Sequence, residues 1–296
     1  MEHKAGFVNI VGNPNVGKST LMNSLVGERL SIITAKAQTT RHRILGIVNG
    51  EDFQAVISDT PGIIKPAYKL QESMMDFVKN AFEDADCILY MVELGEKELK
   101  NEAFEKRLTF AEVPVFVLIN KIDKGDATQL EEAVAHWKER LPKAEIFAVS
   151  ALMNFGVPQL LSRIVEVLPV SPAFSPKDTL TDKPERFFVN ESIREKILIH
   201  YKKEIPYSVE IDTEEFFEDE KIIRIRSVIM VERETQKGII IGHKGTALKR
   251  VGTEARKDLQ KFFGKQVHIE LYVKVNKNWR SDEKQLRRFG YKGDNK

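Results

Sequence analysis

The sequence predicts an α/β protein of two domains, in which a doubly wound, mostly parallel sheet is followed by a smaller α+β domain. Up to about residue 168, short apolar runs alternate with longer segments of helical periodicity. This is the pattern of parallel strands buried between two layers of helices. The segment 169–185 is rich in proline, which neither continues a helix nor joins a central strand. We therefore divide the 296 residues into a first domain at 1–168, a linker at 169–185 and a second domain at 186–296.

The elements of the first domain follow from its hydrophobic pattern. Strands are predicted at Phe7–Val11, Ile44–Val48, Phe53–Ser58, Cys87–Val92, Val113–Ile119 and Glu145–Val149. Helical spacing is found over Leu21–Val26, Tyr68–Phe82 and Ala127–Arg140. The second and third strands flank a turn-prone Asn-Gly-Glu-Asp segment, which predicts a hairpin and therefore one antiparallel strand in the sheet.

The second domain is predicted to have the order helix–strand–strand–helix–helix–strand. Its long helices are expected at Arg186–Lys203 and Ala247–Phe263, and its strands at Val209–Asp212, Lys221–Val231 and Gln266–Val275. The acidic cluster Glu214–Glu220 is expected to form a solvated loop between the first two strands.

Charge and cysteine content limit the class of protein. Lys and Arg number 46 against 44 Asp and Glu, which excludes a histone-like or a strongly acidic protein. From Lys221 onward, however, 20 basic residues stand against 8 acidic ones, so this part is a candidate for an anionic partner. The single cysteine, Cys87, excludes a disulfide scaffold and a cysteine-based zinc site. Without a long apolar segment or an export signal, the expected location is the cytoplasm.

A phosphate-binding motif follows the first predicted strand. Residues 12–19 match G-x-x-x-x-G-K-[ST] at every fixed position and lie between a strand and a helix. The glycines let backbone N–H groups surround the phosphates, and the helix N-terminus adds positive potential. Lys18 is expected at the β- and γ-phosphate oxygens, and the Ser19 hydroxyl at Mg²⁺. The nucleotide-binding residues predicted here are Gly12, Asn13, Pro14, Asn15, Val16, Gly17, Lys18, Ser19 and Thr20.

Three further motifs end predicted strands, at the sheet edge where such folds bind ligands. In the first, Asp59 is placed to hold Mg²⁺ through water, and the Gly62 N–H to meet the γ-phosphate. In the second, Asp123 can accept two hydrogen bonds from guanine N1–H and its exocyclic amine, a donor pair that adenine lacks. In the third, a backbone N–H is expected to lie near guanine O6. The motif residues are Asp59, Thr60, Pro61, Gly62 and Ile63; Asn120, Lys121 and Asp123; and Ser150, Ala151 and Leu152. This set predicts a site for GTP and conflicts with an ATP-dependent kinase.

A Gly-x-x-Gly loop lies between two helical segments of the second domain. It is typical of KH domains, in which such a loop clamps an RNA backbone beside a groove for about four nucleotides. The pattern alone also fits a packing joint between helices, but the type II KH order of elements and the basic charge favour RNA. Trp279 is expected to anchor the basic tail in the core rather than to stack on bases. The candidate RNA contacts are Gly242, His243, Lys244, Gly245, Lys249 and Arg250, with Lys274, Lys277 and Arg280, which equally fit a solvated face.

These motifs resemble the Era family of bacterial ribosome-assembly GTPases. The resemblance rests on the loop at 13–20, the segment Gln38–Arg43 and the KH-like second domain, and covers almost the whole chain. It implies a P-loop GTPase domain followed by a type II KH domain, and Mg²⁺-dependent hydrolysis of GTP to GDP. It also implies binding to the 3′ end of small-subunit ribosomal RNA during assembly of the small ribosomal subunit. The resemblance implies that Thr40, rather than Thr39, takes the switch I role of closing onto Mg²⁺, so that Lys18, Thr40, Asp59 and Gly62 are expected to form the catalytic set.

One position departs from the pattern of Ras-type enzymes. Ile63 stands where those enzymes have the glutamine that orients the attacking water, and its side chain neither donates nor accepts a hydrogen bond. Slow intrinsic hydrolysis is therefore expected. The Era resemblance includes this substitution, and in related enzymes the asparagine at the position of Asn15 helps to bind K⁺. It therefore implies stimulation by potassium.

An alternative function is a GTPase that acts on a protein or membrane surface, with the basic domain as an electrostatic anchor. Era-like proteins are also associated with the cytoplasmic membrane, so peripheral membrane association is compatible with RNA binding. Nothing in the sequence demands more than a monomer. Substitution of Gly242 and Gly245 by aspartate would distinguish the two functions. Only the RNA-binding function predicts that RNA binding is lost while GTP hydrolysis is retained.

Overall fold

The first half of the chain is built on a six-stranded sheet. The structure is a computed structural model that describes residues 2–99 and 101–292, so residues 293–296 of the predicted second domain lie outside it. The strands are β1 (Lys4–Val11), β2 (Ile44–Asn49), β3 (Phe53–Asp59), β4 (Cys87–Glu93), β5 (Val115–Asn120) and β6 (Glu145–Ala148). The helices are α1 (Lys18–Val26), α2 (Lys69–Glu83), α3 (Glu102–Thr109), α4 (Ala127–Arg140) and α5 (Val157–Val167).

The sheet order β2-β3-β1-β4-β5-β6 brings the predicted motifs to one edge. All neighbouring pairs are parallel except β2 and β3, which confirms the mostly parallel fold and the predicted hairpin. The six apolar residues that begin β4 are all buried, as expected for a strand covered on both faces. Because β1, β3 and β5 run in the same direction, the residues that follow them meet at their carboxyl ends.

The proline-rich segment lies along the first half of the chain. Ala5 N donates to Pro169 O at 3.1 Å, and Ile47 N donates to Leu180 O at 2.8 Å. The Gln54 Oε1 atom accepts from the backbone N–H of Phe174 at 2.7 Å. Accordingly, the chain divides into one compact unit up to Ala67 with Gln71–Asp182, and a second of Tyr68–Leu70 with the chain from Lys183 onward. The predicted linker 169–185 therefore belongs to the first unit as far as Asp182.

The second unit is a three-stranded sheet covered by helices. Its elements are α6 (Glu185–His200), β7 (Glu210–Glu218), β8 (Ile222–Val231), α7 (Glu234–Ile241), α8 (Thr246–Phe263), β9 (Gln266–Val275) and α9 (Glu283–Arg288). The sheet order is β7-β8-β9, with β7 antiparallel and β9 parallel to β8. Its core is formed by aliphatic residues of α6, α8 and the three strands. This confirms the predicted α+β order.

The acidic segment 214–220 is mostly strand, and its prediction as a loop was wrong. β7 continues to Glu218 after a bulge between Thr213 and Glu215. Phe216 packs against the core, while Glu215 on the opposite face is paired with Arg226 of β8 at 3.0 Å. Cross-strand contacts of this kind offset the low strand propensity of glutamate.

The tail after β9 is held by buried aromatic side chains. Trp279 is fully buried and its Nε1 atom donates to Ser208 O at 3.0 Å, which agrees with the predicted anchor. The Tyr291 hydroxyl donates to Glu210 at 2.7 Å. In the described part of the chain, no helix combines the length and the hydropathy needed to cross a bilayer.

Candidate nucleotide site and Gly-x-x-Gly loop

The phosphate loop between β1 and α1 folds around the side chain of Lys18. The Lys18 Nζ atom donates to Gly12 O at 3.1 Å and to Asn13 O at 2.9 Å. Burial lowers the pKa of Lys18 to about 8, and the charges of Asp59 and Glu96 oppose that shift. The ammonium group is therefore still largely protonated at neutral pH, and is available for phosphate oxygens.

The two fixed glycines of the loop are required by its backbone. Gly17 has φ +110°, and a Cβ atom there would collide with the Asn120 side chain. Gly12 has φ +152°, and a Cβ atom there would collide with the carbonyl oxygen of Met91. A larger residue at either position would displace the loop from β4 or β5.

The three predicted metal residues converge beside the phosphate loop. Ser19 Oγ donates to Asp59 Oδ2 at 2.7 Å and lies 2.9 Å from Thr40 Oγ1. Thr40 Oγ1 donates to the same carboxylate oxygen at 3.3 Å. The other oxygen, Asp59 Oδ1, is buried and has no hydrogen-bond partner among the described residues. Burial raises the pKa of Asp59, against the hydrogen bond from Ser19 and the charge of Lys18.

This arrangement fits a hard divalent cation. Hydroxyl and carboxylate oxygens are the ligands that Mg²⁺ prefers, and it commonly takes only one or two protein ligands beside phosphate oxygens. A cation here would also satisfy the unpartnered oxygen of Asp59 and offset the cost of burying its charge.

The segment after Asp59 presents its backbone to the cleft. A Cβ atom at Gly62 would lie 2.7 Å from Pro14 Cα, so only glycine allows this close approach. The Thr60 hydroxyl donates to Ile10 O at 2.7 Å, and the Ile63 N–H donates to Gly12 O at 3.0 Å. The side chains of Pro61 and Ile63 are buried. Ile63 therefore contributes packing rather than a group that could position water.

Asn120 and Lys121 tie the phosphate loop to the region predicted to bind the base. Asn120 Nδ2 donates to Val16 O at 2.7 Å, and its Oδ1 atom accepts from Ala151 N at 3.0 Å. Lys121 has a left-handed backbone, with φ +64°. Its Nζ atom donates to Asn15 O at 2.8 Å and to Glu93 Oε2 at 2.7 Å.

Asp123, which is predicted to bind the guanine base, is exposed after the carboxyl end of β5. Its Oδ1 atom accepts a hydrogen bond from Ser150 Oγ at 2.6 Å, which orients the carboxylate. Ser150 and Ala151 are buried, whereas the Leu152 side chain is 74% exposed. The Ala151 N–H, which belongs to the segment predicted to meet guanine O6, is directed to Asn120 in this structure.

Several residues of the cleft lie outside the four nucleotide-binding motifs. Between the phosphate loop and Thr40, the cleft is lined by Ile32, Ile33, Thr34, Gln38 and Thr39. Their positions depend on how the segment before β2 folds back over α1. Gln38 and Thr39 belong to the segment Gln38–Arg43 that supports the Era resemblance, whereas the only sequence signal for Ile32, Ile33 and Thr34 is their place before Thr40.

In the second unit, the Gly-x-x-Gly segment forms a tight turn between α7 and α8. Gly242 has φ +71°, and a Cβ atom there would lie 2.6 Å from that of Ala247. Lys244 is left-handed, with φ +48°. Gly245 has φ +77° with nothing within 4 Å of a Cβ position, so this side of the turn is open. His243 and Lys244 are exposed.

The other predicted RNA contacts differ in their surroundings. Lys249 and Arg250 are exposed on the first turns of α8, where Arg250 pairs with Glu254 at 3.1 Å. Lys274 of β9 pairs with Glu214 at 3.1 Å, Arg280 pairs with Glu232, and Lys277 is exposed. The turn, Lys249 and Arg250 are therefore close along the chain at one helix N-terminus. Acidic partners offset the charges of Arg250, Lys274 and Arg280.

Fold and site together define a P-loop GTPase joined to a KH domain. The family model described as 50S ribosome-binding GTPase matches residues 7–121, and the KH domain model matches residues 204–280. The chain is 44% identical to GTPase Era of Syntrophus aciditrophicus over 97% of this chain and 95% of that protein. It is 42% identical to GTPase Era of Caldanaerobacter subterraneus over 98% of this chain and 99% of that protein. The chain belongs to the Era family and is a GTPase.

Two solved structures of Era share the whole architecture. One, in complex with MgGDPNP and nucleotides 1506–1542 of 16S ribosomal RNA, has a TM-score of 0.93 and 38% identity over 98% of this chain and 99% of that chain. The other, a variant of Aquifex aeolicus Era bound to GDP and AlF₄⁻, has a TM-score of 0.92 and 38% identity over 97% of this chain and 99% of that chain. The predicted family and fold are thus confirmed.

Proposed function

We propose that this GTPase is a molecular switch that binds the 3′ end of small-subunit ribosomal RNA through its KH domain and acts in assembly of the small ribosomal subunit. The main support is the similarity over 98% of the chain to an Era structure that holds both MgGDPNP and 16S ribosomal RNA. The open side of the turn at Gly245, with exposed His243 and Lys244, is compatible with a phosphate backbone. A cytoplasmic, monomeric protein remains our prediction.

The residues of the first unit suit a Mg²⁺-dependent reaction. Ser19, Thr40 and Asp59 would hold Mg²⁺, which supplies positive charge between the β- and γ-phosphates when bound. Lys18, already held by two carbonyls of the phosphate loop, would turn to the phosphate oxygens. The Gly62 N–H would meet the γ-phosphate, and Thr40 would report its presence through switch I. Because Ile63 is buried and apolar, the attacking water is left to backbone groups or another partner, so intrinsic hydrolysis is slow.

We further propose that K⁺ assists hydrolysis beside Asn15. Asn15 is exposed and left-handed, with φ +65°, and its Nδ2 atom donates to Ala35 O at 3.2 Å. Its side chain therefore connects the phosphate loop with the segment that leads to Thr40. An additional cation at this place would stabilise charge that develops on the transferred phosphoryl group.

Potassium should then raise kcat by about tenfold over sodium at equal ionic strength, a modest share of what a positioned cation contributes. The Asn15→Ala variant should lose the difference. Asn278→Ala, which removes another left-handed asparagine in the second unit, should retain it. Phosphate release in KCl and NaCl buffers measures this, and equal rates for the unmodified protein would refute the proposal.

Gly245→Asp tests the RNA-binding proposal. The substitution adds a negative charge on the open side of the turn, so affinity for an RNA of the 3′ end of 16S ribosomal RNA should fall by at least about tenfold. Gly264→Asp is the matched control, because Gly264 is also left-handed, at φ +65°, with nothing within 4 Å of a Cβ position. It lies at the other end of the 18-residue α8, about 27 Å away. Gly242→Asp is less suitable because of the contact with Ala247.

The outcomes of this experiment separate the two functions. Loss of RNA binding in Gly245→Asp but not in Gly264→Asp, with GTP hydrolysis unchanged in both, supports the ribosomal proposal. If both variants bind RNA like the unmodified protein, the Gly-x-x-Gly assignment is wrong. If RNA binding is weak throughout but vesicles with anionic lipids bind and are lost in Gly245→Asp, the basic domain is an electrostatic anchor for a membrane.

A further inference from the structure

The turn that follows β4 lies directly behind the phosphate loop. The Glu96 N–H donates to Glu93 O at 2.9 Å, and Glu96 Oε2 accepts from Glu93 N at 3.0 Å, so both backbone and side chain close the turn. Gly95 within it has φ +90°. These bonds fix the position of the Glu96 carboxylate relative to the sheet.

The second oxygen of that carboxylate holds the phosphate loop. Glu96 Oε1 accepts a hydrogen bond from Asn13 Nδ2, which also donates to Glu98 O at 3.1 Å. Asn13 is only 4% exposed, and its own carbonyl accepts from Lys18 at 2.9 Å. A continuous chain of hydrogen bonds therefore leads from Glu96 through Asn13 to the lysine of the nucleotide site.

The turn also lines a cavity of about 420 Å³, and most of the residues around this cavity are polar or charged, among them Glu93, Lys97, Lys124 and His136. None of the described residues that line it belongs to the phosphate loop. The hydrogen bonds of Asn13 to Glu96 and to Glu98 O connect the loop with the turn.

We infer that Glu96 is a positioning residue for the phosphate loop. By holding Asn13, it fixes the backbone carbonyls to which Lys18 is bonded and so keeps the loop in its binding conformation before nucleotide arrives. Glu96 lies outside the four nucleotide motifs and acts only through Asn13. The inference rests on the nucleotide site proposed above, and deepens it.

A double-mutant cycle tests this inference through the dissociation of a fluorescent GDP analogue. Asn13→Ala and Glu96→Ala should each speed dissociation by about tenfold, the effect of losing one hydrogen bond to a charged group. The double variant should release the analogue no more than about tenfold faster than the unmodified protein, because both substitutions remove the hydrogen bond between Asn13 and Glu96. In Glu96→Ala, the KM for GTP should rise in parallel while kcat at saturating GTP changes less than about twofold, since bound phosphates order the loop themselves.

Further variants keep the result unambiguous. Glu96→Gln retains one acceptor oxygen and should show an intermediate effect of about threefold. Glu131→Ala removes an exposed carboxylate of α4 and should dissociate GDP at the unmodified rate. Effects of Asn13→Ala and Glu96→Ala that multiply to about a hundredfold would overturn the inference, and so would normal dissociation in Glu96→Ala. Failure of the unmodified protein to bind guanine nucleotide would instead refute the nucleotide site itself.

Discussion

Replacing Asp123 by asparagine is expected to weaken GTP binding by roughly 100-fold to 1,000-fold, because two hydrogen bonds to a charged acceptor are lost or weakened. The Asp123 carboxylate is exposed and oriented by Ser150 at 2.6 Å, so it is available to the base. Competition of GTP, ATP and XTP against a fluorescent guanine nucleotide measures the change. XTP should gain affinity, because xanthine has a carbonyl oxygen in place of the guanine amine and the new amide can donate to it.

Asp126→Asn is the matched control for this experiment. Asp126 caps α4 by accepting from Gln129 N at 2.9 Å, and asparagine caps a helix about as well as aspartate. The control should therefore prefer GTP to ATP and XTP as the unmodified protein does. A D123N variant that keeps the same preference would show that Asp123 does not select the base.

Asp59→Asn is expected to lower GTP hydrolysis by at least about 100-fold, the usual cost of removing one preorganised electrostatic group. The amide has nearly the same shape as the carboxylate but is a poor ligand for Mg²⁺. Since burial raises the pKa of Asp59, its charge destabilises the nucleotide-free fold, and a neutral amide should leave the melting temperature unchanged or higher. The loss should therefore appear in hydrolysis and in Mg²⁺ titration, not in folding.

Two comparisons complete this prediction. Asp52→Asn, which changes an exposed aspartate in the turn before β3, should hydrolyse GTP at the normal rate and respond normally to Mg²⁺. Removal of Mg²⁺ by a chelator should reduce the unmodified protein to the level of the D59N variant. Hydrolysis by D59N within a few-fold of normal would exclude Asp59 from the metal site.

The strands and the motifs could be predicted from the sequence because their signals are local. An apolar run as short as that of β4 favours a buried strand over a helix, and the spacing of the phosphate loop is dictated by its chemistry. The extension of β7 to Glu218 could not be predicted, because it depends on Arg226 and a bulge that become visible only when the strands are paired. The course of 169–182 likewise depends on backbone groups of β1 and β2 that are distant in sequence.

The sequence predicts which residues form the candidate site but not which contacts support them. The convergence of Ser19, Thr40 and Asp59 follows from three recognisable motifs and the parallel sheet. The role of Glu96 has no sequence signal, because a glutamate in a turn is ordinarily a solvated residue and only the position of Asn13 gives it a partner.

Asn120 joins two walls of the candidate site, the phosphate loop and the segment predicted to contact the base. Both ends of its amide are engaged by other groups of the protein, Val16 O on one side and Ala151 N on the other. The conformational entropy of arranging these two walls is therefore lost during folding rather than at each encounter with a ligand.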